Sequence, residues 1–417
     1  MADLGIIYWL SYVMSFISLY MVIFWILLIR SKDDLDKQPE EPKRFPKVSV
    51  LIPAHNEEET IKKAVNSVLA SNYPKNKLEA IVIANGCKDR TVEFAKSIKS
   101  KRVRVFSREE ANKASAVNYG IEKATGEFIA VMDADSYIDK VAIRKMVPHL
   151  EEENVAAVIP VVEIDNPKKF IQKIQWCEYL IAQFMYKLLS VIGALYVTPG
   201  VLSIYKKDIV KKVGGFDKTS ITEDAEIATR LQYNGYDIKS EVNGKGYTKG
   251  PDTWKALYKQ RLRWTRGLID IIKKYRSMWF TRKYGHLGSF VMPMIIIIAI
   301  LSTSLFVVIF LGLFMMRNEY INAFETFIFN FLNPSSFQLT IETISTFILS
   351  RNILLYFLTA ALLIAGLTIF NEIRKVLKKK NIYILPLIVF LTYYQLFLTS
   401  QWVVAIAFEA LRIKKKW

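Results

Sequence analysis

Residues Ile6 to Ile29 form an almost uncharged apolar run, long enough for the roughly 20 residues that cross the hydrocarbon core of a bilayer. Three more runs of that kind follow late in the chain, Leu287 to Met316, Thr343 to Phe370 and Tyr383 to Phe408. They bracket a polar stretch from Pro46 to about Gly285, so any fold must combine lipid-facing helices with one water-facing domain. A disordered or purely soluble chain is excluded by the same pattern, since 52% of the 417 residues are hydrophobic. The first run begins Met1-Ala2-Asp3, without the basic start and short apolar core of a cleaved signal, and reads as an anchor that is kept. The division is therefore 1–30 membrane helix, 31–45 linker, 46–285 polar domain and 286–417 membrane bundle with a basic loop and tail.

Positive charge fixes the sidedness. Arg30, Lys32 and Lys37 follow the first run, Arg276 to Lys283 precedes the second, and Arg374 to Lys380 lies between the third and fourth, all of which read as cytoplasmic. The polar domain is then cytoplasmic and the protein a multi-pass plasma-membrane protein. Simple alternation places the basic tail Arg412 to Lys416 on the wrong side, so either Tyr320 to Leu332 crosses or dips in, or the region of Pro386 is re-entrant. The formal net charge of +18, from 57 Lys and Arg against 39 Asp and Glu, sits beside the spans. That placement points to anionic lipid as partner and not to nucleic acid. Cys87 and Cys177 share no CxxC and His55, His149 and His286 are scattered, which excludes a disulfide scaffold and a zinc site.

The polar domain has an alternating strand and helix rhythm. Val48 to Ile52, Glu79 to Ala84, Val103 to Phe106 and Glu127 to Met132 read as strands; Glu58 to Ala70 and Ala114 to Lys123 read as helices. Repeated units of this kind predict an α/β fold with a mainly parallel sheet. Ligands bind such sheets at the carboxyl ends of the strands, where Pro53, Asn85 and Asp133 fall.

Single motifs are ambiguous. Asp133-Ala134-Asp135 puts two carboxylates on one turn, suited to a divalent cation that also touches a diphosphate, but aspartates also favour ordinary turns. Thr222-Glu223-Asp224 suits a helix start with Thr222 as N-cap and the acids facing the helix dipole. The mixed aromatic and basic stretch Trp254 to Phe280 suits an interfacial helix, and Phe170 to Leu189 a helix lying on the membrane or under the core.

The ordered set decides. PAHNEE (Pro53 to Glu58), ANGCKDRT (Ala84 to Thr91), NKASAVNYG (Asn112 to Gly120), DAD, GGFD (Gly214 to Asp217), TED and QRLRW (Gln260 to Trp264) precede a membrane bundle. This resembles the family-2 membrane glycosyltransferases, the group that holds hyaluronan, chitin, cellulose and poly-N-acetylglucosamine synthases. The resemblance covers Pro46 to about Gly285. It implies a GT-A type nucleotide-sugar-binding domain, transfer with inversion from a nucleotide-diphosphate sugar, and Mg²⁺ or Mn²⁺ as cofactor.

Residue by residue, the resemblance implies Asp135 as metal ligand and Asp133, Lys113, Pro53, Glu57 and Asn85 at the donor. It makes Asp224 the general base that takes the acceptor hydroxyl proton. Arg263 then stabilises charge on the departing diphosphate, and Gln260, Trp264 and Glu223 face the acceptor. Where many relatives carry an aspartate pair this chain has Ala84-Asn85-Gly86-Cys87, and the Asn85 amide can donate as well as accept. A UDP-sugar is the expected donor and a growing β-linked polysaccharide the expected acceptor, with export through the same helices as the further implication of the resemblance. The rival readings are single-sugar transfer to a lipid or lipid-linked glycan, and an inactive scaffold or transporter. His55 and Cys87 are read as loop residues, Lys206 and Lys207 as flanking a turn.

Overall fold

The computed structural model describes residues 2–30, 41–315 and 383–414, with isolated positions between 325 and 375. The expected span Thr343 to Phe370, the segment Tyr320 to Leu332 and the loop Arg374 to Lys380 lie almost wholly outside the described residues. In chain order the elements are α1 (Ala2–Arg30), β1 (Val48–Ala54), α2 (Ile61–Leu69), β2 (Leu78–Asn85), α3 (Thr91–Lys96), β3 (Val103–Arg108), α4 (Lys113–Lys123), β4 (Phe128–Met132), β5 (Tyr137–Ile138) and α5 (Ala142–Met146). There follow β6 (Val155–Ile164), α6 (Phe170–Val191), β7 (Val201–Lys206), α7 (Lys207–Lys212), α8 (Glu223–Tyr233), β8 (Asp237–Thr248) and α9 (Trp254–Lys274). Last come α10 (Met292–Met315), α11 (Ile384–Leu391) and α12 (Tyr393–Ala410).

The strands form one sheet in the order β3-β2-β1-β4-β7-β6-β8-β5. β3, β2, β1 and β4 are parallel neighbours, and β6 pairs parallel with β8, whereas β7 runs antiparallel to both β4 and β6 and β5 antiparallel to β8. Both faces of β1 are covered. Val48, Val50 and Ile52 pack with Ile61, Val65 and Val68 of α2, while Leu51 on the other face packs with Val117 and Ile121 of α4. That two-sided burial is why the strand reads as a continuous apolar run and not as an alternation. The chain runs β1 to β2 to β3 in one direction and returns to β4 on the other side of β1. The reversal opens a crevice between the carboxyl ends of β1 and β4, which is where Pro53 to Glu57 and Asp133 to Asp135 lie.

The helix expected over Phe170 to Leu189 is α6, and it lies under the core: Ile174, Phe184 and Leu188 are fully buried. The apolar helices invert the usual arrangement, with Trp9, Phe16 and Leu27 of α1 and Ile300 and Phe310 of α10 exposed. Among the described residues, two helical stretches are long and apolar enough to cross a membrane, Tyr12–Ile29 and Leu287–Val308, and they pack together through Phe24 and Phe290 with ring centroids 4.7 Å apart. The run Tyr383 to Phe408 is not one straight helix. It breaks at Thr392 into α11 and α12, bent by 41°. This is the region of Pro386, one of the two places where the alternation of sides was expected to fail.

Candidate active site

The loops after β1 and β2 hold each other. The Glu57 N–H donates to Thr91 Oγ1 at 2.7 Å, the Lys88 N–H to Asn56 Oδ1 at 2.8 Å and the Arg90 N–H to Glu58 Oε2 at 2.9 Å. The polar residues of PAHNEE and ANGCKDRT are therefore a reciprocal latch. His55 belongs to it, with Nδ1 2.7 Å from the Asn85 carbonyl oxygen, and the Cys87 thiol donates to the Ala54 carbonyl at 3.3 Å. Pro53 sits half-buried near the end of β1, opposite Ile83. Asn85 ends β2 and is buried; its Nδ2 donates to the Asn112 carbonyl at 2.9 Å, which fixes the amide orientation and leaves Oδ1 buried with no protein partner.

Asn112 caps α4 by accepting the Ser115 N–H at 2.9 Å, so Lys113 is the first residue of that helix and points across the crevice. Its Nζ lies 2.5 Å from Asp133 Oδ1 and 2.9 Å from Glu223 Oε1. Burial disfavours the charge of Lys113, but Asp133, Glu223 and Asp224 together hold its pKa well above the ordinary value. Asp135 goes the other way. Burial first, then the neighbouring Asp133, lift its carboxyl to about 6, with Glu57 adding to the effect.

Asp224 lies in the first turn of α8, where its Oδ1 accepts the Ala225 N–H at 2.8 Å. Burial, then Glu223, raise it to about 6, and the attraction of Lys113 and Arg263 does not cancel that rise. Burial also opposes the charge of Glu223, but Lys113 overrides it and keeps that carboxylate below its usual range. Two adjacent acids thus take different states: Glu223 is a charged anchor for Lys113, and Asp224 is poised to exchange a proton near neutral pH. Thr222 occupies the N-cap position expected of it, yet its hydroxyl makes no capping bond and is buried without a partner. The reason is α9, whose Gly267 is pressed so closely on Thr222 that a Cβ there would overlap its side chain.

From α9, the Arg263 guanidinium donates to the Ile221 carbonyl at 2.8 Å, beside the acidic pair. Gln260 lines an open cleft of about 580 Å³ together with Glu57, Asp89, Asp135 and Lys249. The cleft thus joins residues expected at the donor to one expected at the acceptor. Trp264 is 36% exposed and stands outside that cleft lining, with the Arg261 guanidinium 4.1 Å from its ring centroid.

Some positioning residues escaped sequence reasoning. The Thr198 hydroxyl donates to the Asp224 carbonyl at 2.7 Å, and the Asp133 N–H donates to the Gly200 carbonyl at 2.7 Å. A Cβ on Gly200 would run into the Asp133 carboxylate. One short loop, Thr198-Pro199-Gly200, therefore ties both acidic motifs together; in the sequence it offers only a turn signal. GGFD is a brace: Asp217 accepts from Lys274 at 2.6 Å, and although burial opposes its charge, that contact holds it down at about 2. Lys206 donates to the carbonyls of Glu152 and Glu153 and Lys207 to that of Ala124, so neither is part of the acidic cluster.

Residues 49–214 match the family described as Glycosyl transferase family 2. A poly-beta-1,6-N-acetyl-D-glucosamine synthase of Staphylococcus epidermidis is 31% identical over 289 residues, which cover 66% of this chain and 69% of that protein. A synthase of the same name from Staphylococcus aureus (strain COL) is 30% identical over 305 residues, 71% of this chain and 73% of the other. The probable glycosyltransferase YdaM of Bacillus subtilis (strain 168) is 31% identical over 266 residues, 60% of this chain and 62% of YdaM, so the match spans less than two thirds of that relative. Among solved structures, the mannosyltransferase PcManGT from Pyrobaculum calidifontis, in complex with GDP-Man and Mn²⁺, aligns with a TM-score of 0.56 at 18% identity, over 90% of this chain and all of that one. The chain belongs to glycosyl transferase family 2, and its α/β domain has the GT-A fold. It is a glycosyltransferase.

Proposed function

We propose that the protein is an inverting, metal-assisted synthase that extends a β-linked polysaccharide from a UDP-sugar on the cytoplasmic side of the plasma membrane. N-acetylglucosamine is the first sugar to test, because that sugar stands in the names of the staphylococcal relatives. The observation that carries the reading is Lys113, which bridges Asp133 on the strand-end side to Glu223 on the helix side. A carboxylate suited to the donor and the helix start that carries the base suited to the acceptor thereby meet at one lysine.

Mg²⁺ or Mn²⁺ fits this donor set. Burial first, and then the charge of Asp133, raise the pKa of Asp135, and a dication bound between the two carboxylates would offset both. No group of three or more His, Cys, Asp or Glu residues suited to a metal occurs among the described residues. Few protein ligands suit a magnesium-like ion that takes its remaining oxygens from substrate phosphates and water. When bound, the metal would neutralise charge on the diphosphate, held by Asp135 with Asp133 beside it.

The chain's own residues supply the rest. Asn85 offers its unpartnered Oδ1 to the N–H edge of a uracil, with Pro53 and Glu57 walling the same crevice. Asp224 accepts the proton of the acceptor hydroxyl as that oxygen bonds to the anomeric carbon and the bond from that carbon to the diphosphate breaks. The nucleoside diphosphate leaves with the electron pair, and one displacement inverts the centre. Arg263, anchored beside the acids, stabilises the leaving group. Trp264 stacks on the acceptor sugar and Gln260 and Glu223 orient it. The apolar helices and basic flanks support membrane anchoring, the arrangement that export of the product through the bundle would require.

The test is incubation of purified protein with a panel of UDP- and GDP-sugars and Mg²⁺ or Mn²⁺, with mass analysis of the products. A ladder of added sugars from a UDP-sugar is expected. One sugar added to a lipid under excess donor overturns the polymer reading.

A further inference from the structure

The second residue of QRLRW, Arg261, is buried where α9 meets α6. It is 3% exposed and binds Glu178 of α6 through two nitrogens, at 3.0 and 2.6 Å. The same guanidinium bonds Gln260 Oε1 and lies over the ring of Trp264. One cation thus touches both neighbours that are assigned to the acceptor, covering one face of the indole while the ring stays partly open to solvent.

Glu178 carries the network onward. Its Oε2 also accepts from the Tyr394 hydroxyl at 2.9 Å. Tyr394 is buried, two residues past the break at Thr392, and stacks on Phe397, which also meets Trp254 at the start of α9. The other limb of the bent pair docks on the same turn of α6: the Tyr383 ring meets Trp176 at 5.4 Å, and Tyr383 lends its carbonyl to Cys177. Residues 176–178 therefore hold the bent pair on both sides of its break and pass that contact through Glu178 to Arg261.

We propose that Arg261, Glu178 and Tyr394 form a positioning network that holds Gln260 and Trp264 toward the acceptor from the bend in the last apolar helix pair. Acceptor engagement, and with it product length, then answers to how that pair is packed. The inference rests on the acceptor role proposed for Trp264.

Deleting either charge leaves the other buried and alone, which threatens folding. Tyr394→Phe removes only a hydroxyl, keeps the stacked ring and leaves both charges in place, so it carries the test; Glu178→Gln keeps the shape but leaves Arg261 without its counter-charge, so it is compared only as folded protein. The readout is the ratio of sugar transferred to sugar hydrolysed, measured with whichever nucleotide sugar the wild type consumes, beside the donor KM. We expect Tyr394→Phe to lower that ratio about threefold or more, with donor KM within about twofold of wild type. The double variant should be no worse than Glu178→Gln alone, because the two residues act as one unit. In a polymerising wild type the products also shorten. A wild-type ratio in Tyr394→Phe, or a loss of donor affinity in step with transfer, overturns the proposal. A wild type that adds a single sugar defeats the polymer reading instead, and the ratio still judges the network.

Discussion

The strand-end edge proposed for the donor and the helix proposed for the acceptor are held by different means. The edge at Asp133, Asp135 and Lys113 rests on strands buried on both faces and on loops latched to each other by short hydrogen bonds. The α9 segment that carries Gln260, Arg263 and Trp264 instead rests on other helices: on α8 at Thr222, on α6 through Glu178, and on α12, where Arg266 donates to the Ile413 carbonyl at 2.6 Å and Lys273 pairs with Glu409 at 2.9 Å. A sheet edge keeps its geometry whatever the membrane does. A helix braced by apolar neighbours inherits their position, which is what the proposed acceptor role would use.

The largest break in that comparison should come at the point where the halves meet. Asp224→Asn keeps the size and the Ala225 contact of the side chain but cannot take a proton. Transfer at saturating donor is expected to fall by about a hundredfold or more, with donor binding by calorimetry nearly intact. If donor affinity falls and transfer of bound donor does not, Asp224 belongs to the donor edge.

The second test follows from the raised carboxyl of Asp224. A base must be charged to act, so with saturating donor and metal the rate should be full above about 6 and fall about tenfold per pH unit below it. In Asp224→Asn the residual rate should lose that acid limb. A limb that persists assigns the titration to another group.

Asp135→Asn sharpens the donor side alone. A neutral amide is a poor ligand for a hard dication, so the gain in donor affinity that Mg²⁺ or Mn²⁺ confers should drop by about tenfold. Equal metal dependence in wild type and variant, read by titration, removes Asp135 from the metal site.

The same comparison explains what the sequence could disclose. Most donor-side motifs are short runs at strand ends, and the observed strands differ from the expected ones by only a residue or two, longer for Val48–Ala54 against Val48 to Ile52 and shorter for Phe128–Met132 against Glu127 to Met132. Local hydrophobic pattern and turn chemistry suffice there. Thr198 acts on a carbonyl 26 residues away, Glu178 on Arg261 83 residues away and Tyr394 on Glu178 216 residues away. No local signal marks such partners, because a half-buried glutamate or a buried tyrosine on an apolar helix reads as an imperfect core position. Thr222 shows the converse: its place at the helix start was legible, but the close approach of Gly267 that denies it the capping role was not.

The smallest effect is expected at Cys87, which sits inside the latched donor loops and so asks whether that latch tolerates any change at all. Its thiol is half-buried and donates one weak bond, to the Ala54 carbonyl at 3.3 Å. Cys177, the other cysteine, is buried on α6 and donates toward Tyr383. Neither offers the other a disulfide, and nothing near Cys87 supplies a resolving thiol. Serine keeps the donor, shortens its reach slightly and removes the soft sulfur, so Cys87→Ser should hold activity within about twofold of wild type, a change of less than one ordinary hydrogen bond. Oxidising buffer should leave the two proteins equally active. A larger loss in correctly folded protein would mean that Cys87 shares the donor contact proposed for Asn85, and that this edge is less rigid than its hydrogen bonds suggest.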